Sequence, residues 1–447
     1  MTSRVSVDVI IVGAGAAGLA AGRLLAESGK RVSIIEARER IGGRIHTRHA
    51  RMAGDGHIPI ELGAEFIHGL PTTSWSLVRE AQLATCELQG DLFCCEAQHL
   101  QSCGEQQRDS FSVLQRMAAW LERRAPGSDV SFAGYLRAAA IESATANRAA
   151  AYVEGFNAAD RNIISATALV RQQRAEDRLQ GDRIFHIRSG YDALPRYAAD
   201  CFARAGGTLL LDSPVRRVAW SRGSVSVQGR ATSGHEFSVR APQAIITLPL
   251  GVLQANCVAF DPVPTEIERH WQSLAMGQAN RVTLLFSRRF WSERAANLSF
   301  LLAPDELIPT WWTAMPESAP IMTGWAAGAK TLSGLQRLRE LGTETLETAA
   351  LRCLANIFSI SIRDLTQWLI SAHHHDWQHD EFSRGAYSYV PAGALEAARL
   401  MSRPVDDTLF FAGEHTDTED QWGTVHAALA SGLRAAGQVL ERPSRHP

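Results

Sequence analysis

The chain has 447 residues, 45% of them hydrophobic and 21% charged. That length suits two or three structural units at about 150 residues each, and the composition excludes a disordered, collagen-like or low-complexity chain. Its 45 basic and 47 acidic residues leave a net charge of −2, which supplies no field for a polyanion and argues against nucleic acid as a partner.

Val7-Asp-Val-Ile-Ile-Val12 is a short β-branched run, predicted to form a strand buried on both faces of a parallel sheet. It is too short for a signal peptide and runs straight into Gly13-Ala-Gly-Ala-Ala-Gly18. Leu19, Leu24 and Leu25 continue with helical spacing to Gly29, and Val32-Ser-Ile-Ile-Glu36 supplies a second strand. The βαβ unit so formed is a dinucleotide-binding fingerprint. Gly13, Gly15 and Gly18 permit a tight turn, close approach to a pyrophosphate and tight helix packing, and Glu36 is placed to take ribose hydroxyls. The motif alone does not separate NAD from FAD. The extension Ala37-Arg-Glu-Arg-Ile-Gly-Gly-Arg44 does, because its glycine pair and guanidinium groups can meet a diphosphate and an ordinary nicotinamide dehydrogenase has no reason to carry it.

Further on, residues 71–180 are rich in Ala, Arg, Gln and Leu and are expected to be helical. Leu209 to Leu248 alternates apolar and polar residues around Gly223, Gly229 and Gly234, as hairpins do. The seven cysteines are odd in number, and only Cys94 and Cys95 are adjacent. They suggest neither a disulfide framework nor a Cys-x-x-Cys metal site, and so a reducing, cytoplasmic setting. No apolar run approaches the ~20 residues of a membrane span, so no membrane association is expected. His373-His-His375 with His379 lacks a partnering Cys or carboxylate cluster, and no metal is expected.

Four blocks carry a resemblance to the flavin-containing amine oxidases, the family of monoamine oxidases, polyamine oxidases and lysine-specific histone demethylases. They are the glycine motif with Glu36-Ala-Arg38 and Gly42-Gly-Arg44; Glu61-Leu-Gly-Ala-Glu-Phe-Ile-His-Gly69; Trp377 with Arg384-Gly-Ala-Tyr-Ser-Tyr-Val390; and Phe411-Ala-Gly-Glu-His-Thr416 with Gly423-Thr-Val-His-Ala427. The resemblance implies an α/β architecture in which a Rossmann-like FAD domain, residues 1–70, 181–260 and 376–447, is interrupted by a mixed α+β substrate domain. That second domain has a helical part, 71–180, and a sheet part, 261–375.

FAD is the implied cofactor, noncovalent because Ala386 stands where monoamine oxidases carry the flavin-bonded cysteine. Its contacts would include Ala17 beside the turn glycines, Ala37, Arg38, Gly43 and Arg44 from the extension, and Gly63, Ala64 and Glu65 from the second block. Val215 matches the aliphatic contact to adenine, although it reads equally as an ordinary strand valine. Gly413, Glu414, Thr424 and Val425 would meet the flavin, the last two opening a helix whose positive end favours charge at the pyrimidine edge.

For the chemistry, the resemblance implies Tyr387 as one of two aromatic rings flanking the amine, with the non-aromatic Thr424 at the other position, so that the sandwich is open on one side or Trp422 leans in. It places Trp377 against the isoalloxazine and His68 near the substrate amine, where a group titrating near pH 7 could help neutralise an ammonium. Glu65 is a second candidate contact for a cationic substrate. Met276-Gly-Gln-Ala-Asn-Arg281 puts Arg281 where most of the family carries a lysine that holds a water against flavin N5.

The expected activity is oxidation of a primary or secondary amine, polyamine-like by Phe66-Ile-His-Gly69, with O2 as the second small-molecule partner. An L-amino-acid oxidase is one alternative, with an arginine from Arg171 to Arg183 gripping the carboxylate. An amine dehydrogenase or weakly catalytic flavoprotein is another, because of Arg281. Trp291, Trp311 and Trp312 are open to core, substrate-wall or interface roles, and the chain is expected as a monomer or homodimer.

Overall fold

The computed structural model describes residues 7–51, 57–103, 105–124, 127–340, 342 and 345–441. Its organising element is the strand Val9–Val12, buried at every residue. Val32–Ile35 and Gln243–Ile246 flank it in parallel register, and Thr208–Leu210 and Leu409–Phe411 complete a five-stranded sheet. Alternation settles the layers. Val9 and Ile11 pack on the helices Ala16–Glu27, Ala193–Arg204 and Val425–Leu440. Ile10 and Val12 pack toward an antiparallel sheet of Val215–Ser221, Ser224–Arg230 and Glu236–Ala241, the hairpins predicted for that stretch.

Gly18 has no room for a side chain, since a Cβ there would stand 1.9 Å from the Gly13 carbonyl oxygen. Gly13 itself has φ +107°, which L side chains rarely adopt. Gly18→Ala is therefore expected to cost about 1–3 kcal/mol, because backbone rather than a flexible side chain must give way. Thermal unfolding would register the loss. An unchanged melting temperature would show that the first helix can slide without penalty.

The rest of the chain builds a seven-stranded sheet that runs from Leu369–His374 through Ala279–Phe286, Ile321–Ala327, Thr310–Thr313 and Leu298–Leu302 to Asp91–Glu96 and His99–Ser102. Trp291 and Trp311 are core here, packed with Leu354, Ile357 and Phe358 of the Leu346–Phe358 helix. The helices Phe132–Ala138, Ser143–Asn157 and Ala166–Arg178 form a separate apolar cluster around Phe132, Tyr135 and Val153.

The stretch 71–180 is thus helical only in part. Thr85–Glu87, Asp91–Glu96 and His99–Ser102 are strands, drawn into sheets by partners distant in sequence, as when Asp91–Glu96 pairs in parallel with Leu298–Leu302. Ala97 and Gln98 turn that hairpin with positive φ and bring Cys94 and Cys103 together as a disulfide, Cα to Cα 5.0 Å. This disulfide goes against the reading of the cysteines as forming no disulfide framework and pointing to a reducing setting. Sequence spacing does not show a pair that a turn creates, and cysteine usage no longer argues for a reducing compartment.

Candidate functional site

A cavity of about 1400 Å³ runs between the parallel sheet and the substrate-side elements. Of the flavin-site and amine-site residues that the family resemblance implies, Gly18 alone does not line it, and its part is the packing contact described above.

At the cavity's nucleotide end, a Cβ on Gly15 would meet nothing within 4 Å, so the backbone there opens directly onto space. No side chain caps the Ala16–Glu27 helix, which leaves its first N–H groups for an anion. Glu36 accepts the Ala14 N–H at 2.7 Å and the Arg38 N–H at 2.9 Å, keeping lone pairs for hydroxyl donors. Burial pushes its pKa up, against those two hydrogen bonds. The Arg38 guanidinium is paired with Asp380 at 2.6 and 2.9 Å, and Asp380 also bonds His375 at 2.6 Å. Burial alone would raise the Asp380 carboxyl, but His375 and Arg38 hold it well below its usual range. Size, an uncapped helix end, backbone open to space and an acid at the strand end all fit a dinucleotide such as FAD. Ala37 and Val215 line the same end.

The middle of the cavity is held by a buried knot on Glu414. Arg44 donates to Glu414 Oε1 at 2.8 Å and to the Ala386 carbonyl at 2.9 Å. Ser388 Oγ donates to Glu414 Oε2 at 2.5 Å, and the Gly423 N–H donates to the same oxygen at 3.1 Å. Burial by itself would raise the Glu414 pKa, but Arg44, with His415 and Ser388, brings it below the ordinary value. Gly63 permits the crossing of two backbones, for a Cβ there would lie 1.9 Å from the Arg44 carbonyl oxygen. Thr424 is the N-cap of Val425–Leu440, its hydroxyl accepting the Ala427 N–H at 3.2 Å, so that helix's positive end opens on the cavity beside Gly413 and Val425. Trp377 is fixed by a hydrogen bond from Nε1 to the Leu62 carbonyl at 2.7 Å and by His375, ring to ring 4.1 Å.

At the substrate end, the ring parallel to Tyr387 belongs to Trp325, 6.3 Å away at an interplanar angle of 8°. The Tyr387 hydroxyl donates to the Phe156 carbonyl at 2.6 Å, and Trp325 Nε1 donates to the Gly155 carbonyl at 2.8 Å, so one helix turn orients both rings. Trp325 thus takes the place for which the sequence left either an open side or Trp422. Trp422 is buried, and its Nε1 donates to the Asp417 carbonyl. Sequence reasoning missed Trp325. It faces Arg281 across paired strands, a signal that exists only once register is known.

Arg281 is buried in the wall, with both terminal nitrogens bonded and its Nε left without a partner. It donates to the Gly63 carbonyl at 2.9 Å and to Glu65 Oε2 at 2.5 Å, and its guanidinium lies 5.4 Å from the Trp312 ring centre. Trp312 Nε1 also donates to Glu65 Oε2 at 3.0 Å. Glu65, expected as a contact for a cationic substrate, is therefore neutralised from within. Ala64 lines the cavity between these residues. His68 lies between the Phe66 and Phe156 rings, and burial lowers its pKa to about 4. That corrects its reading as a group titrating near pH 7, because the imidazole is neutral in this setting.

The arginines of the 171–183 stretch do not line the cavity. Arg174 pairs with Glu122 and Arg183 with Glu87, which removes the residues offered for gripping an amino-acid carboxylate. Among the described residues no group of three or more His, Cys, Asp or Glu is arranged to hold a metal, and no helix is long and apolar enough to cross a membrane.

The profile of the flavin containing amine oxidoreductases matches residues 16–440. The "Probable polyamine oxidase 4" of Arabidopsis thaliana is 27% identical, over 97% of this chain and 87% of that protein. The "Lysine-specific histone demethylase 1 homolog 2" of Oryza sativa subsp. japonica is 26% identical over 98% of this chain but only 57% of its own length. Among solved structures, a putrescine oxidase bound to putrescine superimposes with a TM-score of 0.82 at 19% identity, covering 98% of this chain and all of that one, 100%. Cyclohexylamine oxidase from Brevibacterium oxydans IH-35A gives 0.80 at 24% identity, with 98% and 100% covered. The fold is that of the flavin amine oxidases, and the chain belongs to the flavin-containing amine oxidoreductase family, an oxidoreductase of amines with FAD as its cofactor.

Proposed function

We propose that the chain oxidises a primary or secondary amine of polyamine-like type, giving an imine that hydrolyses and passing the electrons to O2 as hydrogen peroxide. The bound FAD, held without a covalent link, would supply the hydride acceptor at N5. The observation that carries this reading is the parallel Tyr387–Trp325 pair, which opens on the cavity. Two π-faces accept an aliphatic amine edge-on, and burial there lowers the pKa of an ammonium, which frees the nitrogen lone pair. His68, neutral, can accept a hydrogen bond from the amine and contributes no repelling charge. Trp377 and the Glu414 knot hold the face on which a flavin would lie.

The polyamine preference draws on Phe66-Ile-His-Gly69 and on the polyamine oxidases among the relatives. The discontinuous FAD unit of residues 1–70, 181–260 and 376–447, with 71–180 and 261–375 on the substrate side, is part of the same reading. Anaerobic stopped-flow absorbance tests it. Mixing the FAD-loaded protein with putrescine, spermidine, benzylamine and L-amino acids is expected to bleach the flavin band with amines lacking a carboxylate. Bleaching by the amino acids alone would sink the proposal.

A further inference from the structure

Beyond the Tyr387–Trp325 pair the cavity continues between the Ser143–Asn157 and Ala166–Arg178 helices. Tyr152 stands one turn before Phe156, about 6 Å along the axis at 1.5 Å per residue. The two rings are stacked at 5.8 Å and 9°. Glu176 lines the cavity on the facing helix, close enough to raise the Tyr152 hydroxyl pKa further after burial has done so. The end of that helix is tied to the His68 segment by hydrogen bonds from the Leu70 N–H to the Leu179 carbonyl and from the Gly69 N–H to the Arg183 carbonyl, both 2.7 Å. Gly181 lets the chain turn tightly there, since a Cβ on it would stand 2.9 Å from the Glu176 Cβ.

The other carboxylates deep in this cavity have their charge met. Glu65 pairs with Arg281, Glu154 with Arg161 and Glu414 with Arg44, while Glu36 takes two backbone N–H groups. Glu176 differs. Its Oε1 accepts from Gln172 Nε2 at 3.2 Å, and no cation among the described residues is paired with it. Burial pushes its pKa up to about 7, the expected state of a carboxylate lacking a counter-ion.

We propose that Glu176 anchors the second nitrogen of the substrate: with one amine at the Tyr387–Trp325 pair, the next ammonium of a diamine or polyamine pairs with the Glu176 carboxylate while Tyr152 and Phe156 cover the methylenes between. Glu176 then sets a preference for a substrate with two nitrogens over a monoamine. This rests on the amine-oxidation reading above and deepens it.

The test compares FAD-loaded wild type and Glu176→Gln in anaerobic flavin reduction by putrescine and by butylamine. Glutamine keeps the size and the hydrogen bond to Gln172 but removes the charge. Wild type is expected to favour putrescine, and Glu176→Gln to lower the putrescine-to-butylamine ratio of kred/Kd, the limiting flavin-reduction rate over the dissociation constant, by at least about tenfold, mainly through Kd, as loss of one charge-assisted contact does. Glu176→Asp should restore part of the ratio. If wild type and Glu176→Gln show the same ratio while both amines bleach the flavin, the inference fails alone. If neither amine bleaches it in wild type, the amine-oxidation reading fails and takes the inference with it.

Discussion

Glu414→Ala yields a protein that purifies largely without flavin and has lost about 3–5 kcal/mol of stability, as expected when one partner of a buried ion pair is removed and the other stays behind. Glu414 is 4% exposed, and four donor groups from three separate segments converge on it. Without it, Arg44 keeps the Ala386 carbonyl as its remaining partner, and the Ser388 and Gly423 donors face an apolar gap. Those segments shape the middle of the cavity, so cofactor and stability should be lost together. The ratio of flavin to protein absorbance and the melting temperature measure the two.

The same residue predicts a pH dependence. Because its pKa is lowered in the folded protein, its contribution is fully present above the ordinary value of 4.5 and disappears as pH falls through the folded value. Glu414→Gln should therefore lose less stability than wild type on acidification below about pH 4.5, the unfolded carboxylate value. A Glu414→Ala protein that retains full flavin and an unchanged melting temperature would show that the knot is dispensable.

Arg281→Met strands Glu65 in the wall with only Trp312 donating to it at hydrogen-bond distance and His186 3.6 Å away. About 3–5 kcal/mol is again the expected cost. Arg281→Lys is more informative about chemistry. A lysine carries the charge as a point and cannot reproduce the planar fork that spans the Gly63 carbonyl and Glu65 together. It is freed to hold a water over the cavity, the arrangement that the family resemblance assigns to lysine at this position. Reoxidation of the reduced protein by O2 is then expected to quicken roughly tenfold, the scale of one added donor at a site of developing charge. Mixing the anaerobically reduced variant with O2 gives the rate directly, and a rate equal to wild type would mean that this position does not govern the reaction with oxygen. Slow reoxidation of the wild type itself would favour the dehydrogenase alternative.

The first βαβ unit is legible in sequence because everything it needs is local: a β-branched run, glycines at fixed offsets, a helix and an acid at the end of the second strand. The residues of that unit that line the cavity, Gly13, Gly15, Ala17 and Glu36, are legible for the same reason. The substrate end is not. Trp325 becomes a partner of Tyr387 only through the pairing of Ala279–Phe286 with Ile321–Ala327, and Cys94 finds Cys103 only through a turn. Arg281 and Glu65 cancel each other from positions 216 residues apart. Glu176 is an intermediate case. Gln172, Glu176 and Leu179 share one helix face and line the cavity, whereas Arg174 on another face pairs outward with Glu122. Read by polarity alone, that helix is a solvated stretch, because an inward-facing polar stripe has the composition of a surface.

The knot on Glu414 has a consequence for how the chain is made. Arg44 and Glu414 are 370 residues apart. At a synthesis rate of about 5–20 residues per second, the N-terminal glycine turn waits tens of seconds for its fifth strand and closing helix. During that interval the strand Gln243–Ile246 is an open sheet edge, and its neighbour Leu409–Phe411 is still to be translated. A hydrophobic edge therefore stays open until residues 409–411 are translated, and a nascent chain arrested before residue 409 is expected to be held by chaperones rather than by flavin.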